Sequence, residues 1–109
     1  MSGLNSGNFG ANEICISGRV SAAGAAVSGK GFSASTPVSS VFTIGLSGAT
    51  GYSGVTSCII TCDEVNAGAF YTAPVVTAGK VTGFTVTTYV SSTGALGDKA
   101  FSFFIVLEE

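Results

Sequence analysis

The chain has no histidine and no tryptophan, and charged residues make up only 9% of its 109 positions. Typical globular domains carry about 25% charged residues, and glycine, serine and threonine take their place here. Without histidine, the usual serine–histidine pair of nucleophilic catalysis cannot form. We therefore predict that the protein is not an enzyme and uses no metal and no cofactor. So few charges favour a surface that is covered by other subunits.

Basic residues and long apolar runs are also scarce. The net charge is −2, and the four basic residues, Arg19, Lys30, Lys80 and Lys99, are scattered, which leaves no electrostatic footprint for nucleic acid. No apolar run approaches the roughly 20 residues that a membrane-spanning helix needs, so we expect no membrane partner. The N-terminal residues lack the basic start and the apolar stretch of a secretion signal. We expect the protein to fold in a reducing cytoplasm.

The three cysteines are expected to be free. Cys58 and Cys62 lie four positions apart on a predicted strand, which separates them by roughly 13 Å at the usual rise per residue. A disulfide needs Cα atoms within about 7 Å, and no Cys-x-x-Cys pair suggests a zinc site. Cysteine packs like a small hydrophobic residue, so we predict buried free thiols.

Short segments of alternating apolar and polar residues, separated by turn residues, indicate β-strands throughout the chain. Residues 47–57 and 63–74 are expected to be irregular. We predict an all-β fold over residues 13–109, an antiparallel, jelly-roll-like β-sandwich of about seven to eight strands. The predicted strands cover residues 13–20, 31–35, 41–46, 58–62, 75–77, 81–89 and 100–107.

Residues 1–12 are rich in glycine, asparagine and serine and cannot form a core of their own. Chain termini usually fray unless other groups hold them. We predict an extended N-terminal arm that is held against a neighbour, with Leu4 and Phe9 as its apolar anchors.

The last predicted strand is apolar on both sides. Alternate side chains of a strand point to opposite faces, and such a strand is typical of burial on both faces. We predict that one set fills the sandwich and that the other faces a neighbouring subunit, which points to an assembly protein. The first set is Phe101, Phe103, Ile105 and Leu107, and the second is Phe104 and Val106.

Three features that suggest chemistry have simpler explanations. Residues 24–31, GAAVSGKG, match a phosphate-binding loop except at Gly31, where the motif needs a magnesium-binding Ser or Thr and then a helix. The pair Asp63-Glu64 lacks a histidine or a third acid, so a turn at a strand end explains it better. We expect Tyr71 and Tyr89 to pack across strands.

Five short motifs follow one another in order. They are GRV at 18–20, GKGFS at 29–33, VFTI at 41–44, TGFTVTT at 82–88 and DKAFSF at 98–103. Together they resemble small β-sandwich domains of tailed bacteriophage structural proteins, which occur as capsid decoration (cement) proteins and at tail-fibre tips. The resemblance implies a homotrimeric, non-enzymatic virion component that is assembled in the host cytoplasm.

A decoration protein is the role that we expect first. The chain would bind the major capsid protein through the arm residues Leu4 and Phe9, and it would brace the head shell. The trimer contact would include Phe104, Val106 and Tyr89.

A receptor-binding tip of a tail fibre is the alternative. Loop 45–54, which carries Tyr52 as a candidate ligand contact, would then bind a cell-surface glycan. Met1 lies only a dozen residues before the first strand, and no heptad pattern or repeat predicts a fibre shaft. Both features favour decoration.

Overall fold

The computed structural model describes residues 12–48 and 50–109, which form eight β-strands and contain no helix within those ranges. The all-β fold class is confirmed. The strands are β1 (Glu13–Val20), β2 (Ala26–Gly29), β3 (Ser33–Ala34), β4 (Val41–Gly45), β5 (Gly54–Cys62), β6 (Ala67–Thr77), β7 (Lys80–Val90) and β8 (Phe101–Glu108).

The strands form two antiparallel sheets of four strands each. Sheet A has the order β2-β1-β8-β5, and sheet B has the order β3-β4-β7-β6. The first and last strands are neighbours, because Glu13 lies opposite Glu108 and Val20 lies opposite Phe101. This non-sequential order is typical of Greek-key sandwiches, which include jelly rolls. The predicted β-sandwich is therefore confirmed.

The core lies between the sheets and is centred on phenylalanine rings. Ring centroids are 5.1 Å apart in the Phe42–Phe101 and Phe84–Phe103 pairs, which both join the two sheets. Phe32 adds a third edge-to-face contact with Phe103, at 4.9 Å. Such aromatic pairs contribute about 0.5–1.5 kcal/mol each beyond the burial of their area. These ring contacts therefore help to set the packing of sheet A against sheet B.

Strand β8 divides its side chains as predicted. The inward set of four is at most 3% exposed and belongs to the core. Phe104 and Val106 lie at the alternate positions, on the outer face of sheet A. Which residues of this strand fill the sandwich was therefore predictable from the sequence.

Residues 63–74 were expected to be irregular, and this is wrong, because β6 occupies Ala67–Thr77. β6 is an edge strand of sheet B, where Pro74 is tolerated because its missing N–H can face away from the ladder. Two bulges also interrupt its pairing with β7. The hairpin that follows turns at Ala78 and Gly79, whose φ angles of 53° and 79° fit a type I′ turn.

Two other strands differ from the sequence-based expectation. β2 was not predicted; its four residues are all exposed and form one edge of sheet A. β5 begins at Gly54 rather than at Cys58, so the expected loop 47–57 is shorter. Both segments were missed because neither has strong apolar alternation. β2 buries no side chain, and the start of β5 contains a bulge between Val55 and Ser57.

Candidate interaction surfaces

The two β8 residues that were predicted to face another subunit lie together on the outer face of sheet A. In the strand register, Phe104 lies between Ser17 and Ile59, and Val106 lies beside Cys15. Ile59 is 58% exposed, Phe104 37% and Val106 only 6%. We call Cys15, Ile59, Phe104 and Val106 the sheet A patch.

Charged and polar residues border the sheet A patch at one end. Arg19 Nε lies 3.3 Å from Asp63 Oδ2, and the Ser102 hydroxyl donates to the same carboxylate at 2.9 Å. Glu64 accepts a hydrogen bond from the Ala100 N–H at 2.6 Å. The Asp63-Glu64 pair therefore anchors the turn after β5, in agreement with the sequence-based interpretation.

Two carboxylates border the sheet A patch at the opposite end. The Thr56 hydroxyl lies 2.7 Å from Glu108 Oε1 and 3.0 Å from Glu13 Oε2, so it can donate to either. An apolar centre with a polar border is the usual anatomy of a protein–protein contact surface. The outer face of sheet A has this anatomy.

The cysteines carry free thiols and are half-buried rather than fully buried. Burial raises the pKa of the Cys15 thiol, and it raises the pKa of the Cys58 thiol to about 12. Burial, and after it the nearby Cys58, also raises the pKa of Tyr71. Only a thiolate is a strong nucleophile or metal ligand, so Cys15 and Cys58 act as small apolar residues at neutral pH.

Tyr89 lies on the outer face of sheet B, away from the sheet A patch. Its ring covers Gly68 on the neighbouring strand, where an added Cβ would clash with the ring. The ring centroid is 6.1 Å from that of Phe70, which is 49% exposed. Tyr89 therefore packs across strands, as expected. The structure brings Phe104 and Val106 together and does not bring Tyr89 to them, so one flat contact would not include all three.

Several threonine hydroxyls of sheet B form hydrogen bonds inside the protein. Those of Thr72 and Thr87 lie 2.8 Å apart, and Thr85 donates to the Ala73 carbonyl at 3.3 Å. Thr88 is fully buried and holds the β7–β8 connection through Gly97 and Lys99. The outer face of sheet B is thus already hydrogen-bonded across its strands.

Tyr52 is half-buried and packs against the core. Its carbonyl accepts a hydrogen bond from the Val81 N–H at 2.8 Å, which fixes this end of the loop on β7. An open groove of about 400 Å³ lies beside the loop, and its wall includes Leu46, Thr50 and Lys80. The candidate ligand residue Tyr52 therefore faces the core, whereas the groove is built from its neighbours.

The predicted arm anchors, Leu4 and Phe9, lie outside the described residues. The described chain begins at Asn12, whose carbonyl accepts a hydrogen bond from the Glu109 N–H at 3.1 Å. The described chain therefore enters the sandwich at the Glu13 end of sheet A.

Ile59 was the main residue that the sequence reasoning missed. It lies between Cys58 and Ile60 in a run of apolar residues. It differs from them only because its side chain points to the opposite, outer face of the strand. Its position next to Phe104 depends on the β5–β8 pairing, which joins strands that are far apart in the sequence. Alternation along β5 was the available signal.

Among residues 12–48 and 50–109, no group of three or more cysteine, aspartate and glutamate residues could hold a metal ion. The same residues include no helix that is long and apolar enough to cross a membrane. The chain matches no protein-family model, and no curated protein or solved structure is significantly similar to it.

Proposed function

We propose that the protein is a structural component of a tailed-phage virion, a decoration protein that forms trimers and binds the outside of the head shell. The observation that carries the proposal is the sheet A patch. Phe104 and Ile59 lie side by side on the outer face of sheet A, and the polar groups of Arg19, Asp63 and Glu108 border them. The charge-poor composition and the phage-like sequence motifs support the same role.

The physical mechanism would be the burial of surface across junctions between capsid subunits. A protein that binds only the assembled shell stabilises that state by mass action. A standard protein–protein contact buries about 800 Å² on each partner, and apolar area contributes about 25 cal/mol per Å² before the costs of association. A rigid sandwich suits this task because little conformational entropy remains to be lost on binding.

Binding to empty shells tests this role directly. Shells assembled from the major capsid protein of the phage that encodes this chain are mixed with the purified protein and sedimented. We expect the protein to sediment with the shells, and we expect deletion of residues 2–11 to abolish this while leaving the sandwich folded. A protein that stays in the supernatant at saturating concentration would contradict the role.

The alternative, a receptor-binding fibre tip, is favoured by the groove beside loop 45–54. Its wall includes Lys80 and Thr50, and an ammonium and a hydroxyl group can hydrogen-bond a sugar. Binding to a glycan array that is lost in a Lys80→Ala variant and kept in a Lys99→Ala variant would support the tip. Copy number in the virion separates the roles, since a decoration protein should approach the capsid protein in abundance.

A further inference from the structure

The four sheet edges of the sandwich differ in how they are protected. The β2 and β3 edges are only four and two residues long, and the β6 edge contains Pro74 and two bulges. Short strands, proline and bulges are the devices by which proteins prevent edge-to-edge pairing. The β5 edge has nine residues with no charge and no proline, and its single bulge lies near its start.

The backbone groups that β5 directs outward follow from its pairing with β8. The Asp63 N–H donates to the Ala100 carbonyl at 3.0 Å, so this opposed pair is a hydrogen-bonded one. Hydrogen-bonded and non-hydrogen-bonded pairs alternate in an antiparallel ladder. Counting back from Asp63 in steps of two, the backbone N–H and C=O groups of Ser57, Ile59 and Thr61 bond to β8. The N–H and C=O groups of Cys58, Ile60 and Cys62 therefore face the open edge.

We propose that β5 pairs antiparallel with β5 of a second copy, about a two-fold axis at Ile59. Cys58 of one copy then forms a hydrogen-bonded pair with Ile60 of the other, and the reverse pair forms by symmetry. Ile59, which is 58% exposed, meets its own copy in a non-hydrogen-bonded pair, where Cα atoms approach to about 4.5 Å. The two A sheets become one sheet of eight strands.

Other features of the β5 edge also suit pairing with a second copy of the chain. Among the four sheet edges formed by residues 12–48 and 50–109, only β5 combines the full length with freedom from proline, and an uncharged strand meets no like charge in its copy. In addition, an exposed apolar turn lies beyond one end of β5, and a groove that could receive it lies at the other end. The turn beyond Cys62 carries Val65, which is 95% exposed. An open groove of about 430 Å³ lies at the other end of β5.

This groove matches the Val65 turn in chemistry and in position. It is lined by side chains of β5, β6 and β7, including Val55, Tyr71, Pro74 and Val76. An antiparallel pair centred on Ile59 brings the Cys62 end of one β5 to the Gly54 end of the other. Each Val65 turn thus lies at the partner's groove, and the contact is made twice.

The edge contact does not depend on the proposed role in the virion. A two-fold contact uses the same surface on both copies and cannot by itself close a trimer. It uses the backbone edge of β5, whereas the trimer contact is proposed for the outward side chains of the sheet A patch, and Ile59 belongs to both surfaces. If both contacts form, the edge links one trimer to the next.

Disulfide trapping tests the register. In a variant whose three native cysteines are replaced by alanine, Ile59→Cys should give a covalent dimer of twice 10.7 kDa under mild oxidation, because Cα atoms about 4.5 Å apart suit a disulfide. Thr61→Cys is the matched control on the same strand and face. In the proposed register two Thr61 residues are roughly 13 Å apart, so it should stay monomeric on a non-reducing gel. Equal trapping of both variants, or of neither, overturns the proposal.

A backbone variant provides the second test. Cys58→Pro removes an N–H that points to the open edge and spares the ladder with β8, so the fold should persist while edge pairing is lost. Val27→Lys, at an exposed valine on the β2 edge, should leave pairing unchanged. Both variants are made in a Phe104→Asp background, which cannot form the trimer contact through the sheet A patch. The native mass of the protein should fall from that of two chains to that of one chain in Cys58→Pro only. Retention of the dimer in a folded Cys58→Pro variant overturns the proposal, and a dimer lost in Val27→Lys would place the contact on β2.

Discussion

Ile59 and Phe104 lie directly opposite each other on β5 and β8, and both side chains point away from the core. Their neighbours in the same strands, Ile60 and Phe103, lie opposite each other on the inner side. The same strand pair therefore builds the core with one face and an apolar surface with the other. This relationship underlies the proposal that the protein works by assembly.

A charge in the sheet A patch should prevent trimer formation without unfolding the sandwich. We expect Phe104→Asp to lower the association constant of the trimer by at least tenfold, because a carboxylate loses its hydration when it is buried in an apolar contact. Thr43→Asp, at an exposed site on the outer face of sheet B, is the matched control and should associate normally. Sedimentation equilibrium gives the constants, and circular dichroism shows that both variants fold. A Phe104→Asp variant that associates like the wild type would place the contact elsewhere.

Core and surface phenylalanines should differ sharply in their effect on stability. Phe103 is 3% exposed and contacts both Phe32 and Phe84, so Phe103→Ala should lower the free energy of unfolding by about 3–5 kcal/mol. Phe70→Ala should cost much less, since that ring is 49% exposed. Urea titrations measure both. Equal losses would show that the inner face of β8 is misassigned.

A double-mutant cycle tests the packing of Tyr89 on Gly68. Gly68→Ala should destabilise the protein, because the new Cβ meets the Tyr89 ring. In a Tyr89→Ala background the same change should be neutral or stabilising, since alanine restricts the unfolded chain more than glycine does. The coupling free energy from urea titrations, which is the destabilisation of the double mutant minus the sum of the two single-mutant destabilisations, should therefore be negative. Additive effects would mean that the ring does not cover Gly68.

Stability should decline at alkaline pH because of Cys58. Burial raises the pKa of this thiol from 9.0 to about 12, so between these values the unfolded chain loses a proton that the folded protein keeps. The unfolded state then binds fewer protons, and the free energy of unfolding falls as pH rises. Below about pH 9 the thiol is protonated in both states, so Cys58 causes no loss of stability there. Cys58→Ala should flatten the decline measured by thermal unfolding, and Cys62→Ala, on the same strand, is the control.

Much of the sandwich could be predicted because alternation marks buried strands. Phe42 and Ile44 in β4, and the inward residues of β8, stand at every second position. β6 was missed, since an edge strand with exposed residues and Pro74 has no such pattern. The Arg19–Asp63 ion pair and the contact of Ile59 with Phe104 depend on which strands become neighbours. Strand order is set by the packing of the whole sandwich, and local sequence does not encode it.

The mass of the purified protein in solution tests the central claim most directly. Sedimentation equilibrium at micromolar concentration should give three chains of 10.7 kDa each, or two such trimers where the β5 edges also pair. A dimer would support the edge contact and contradict the trimer. A single species of 10.7 kDa across the micromolar range would contradict assembly as the function of this protein.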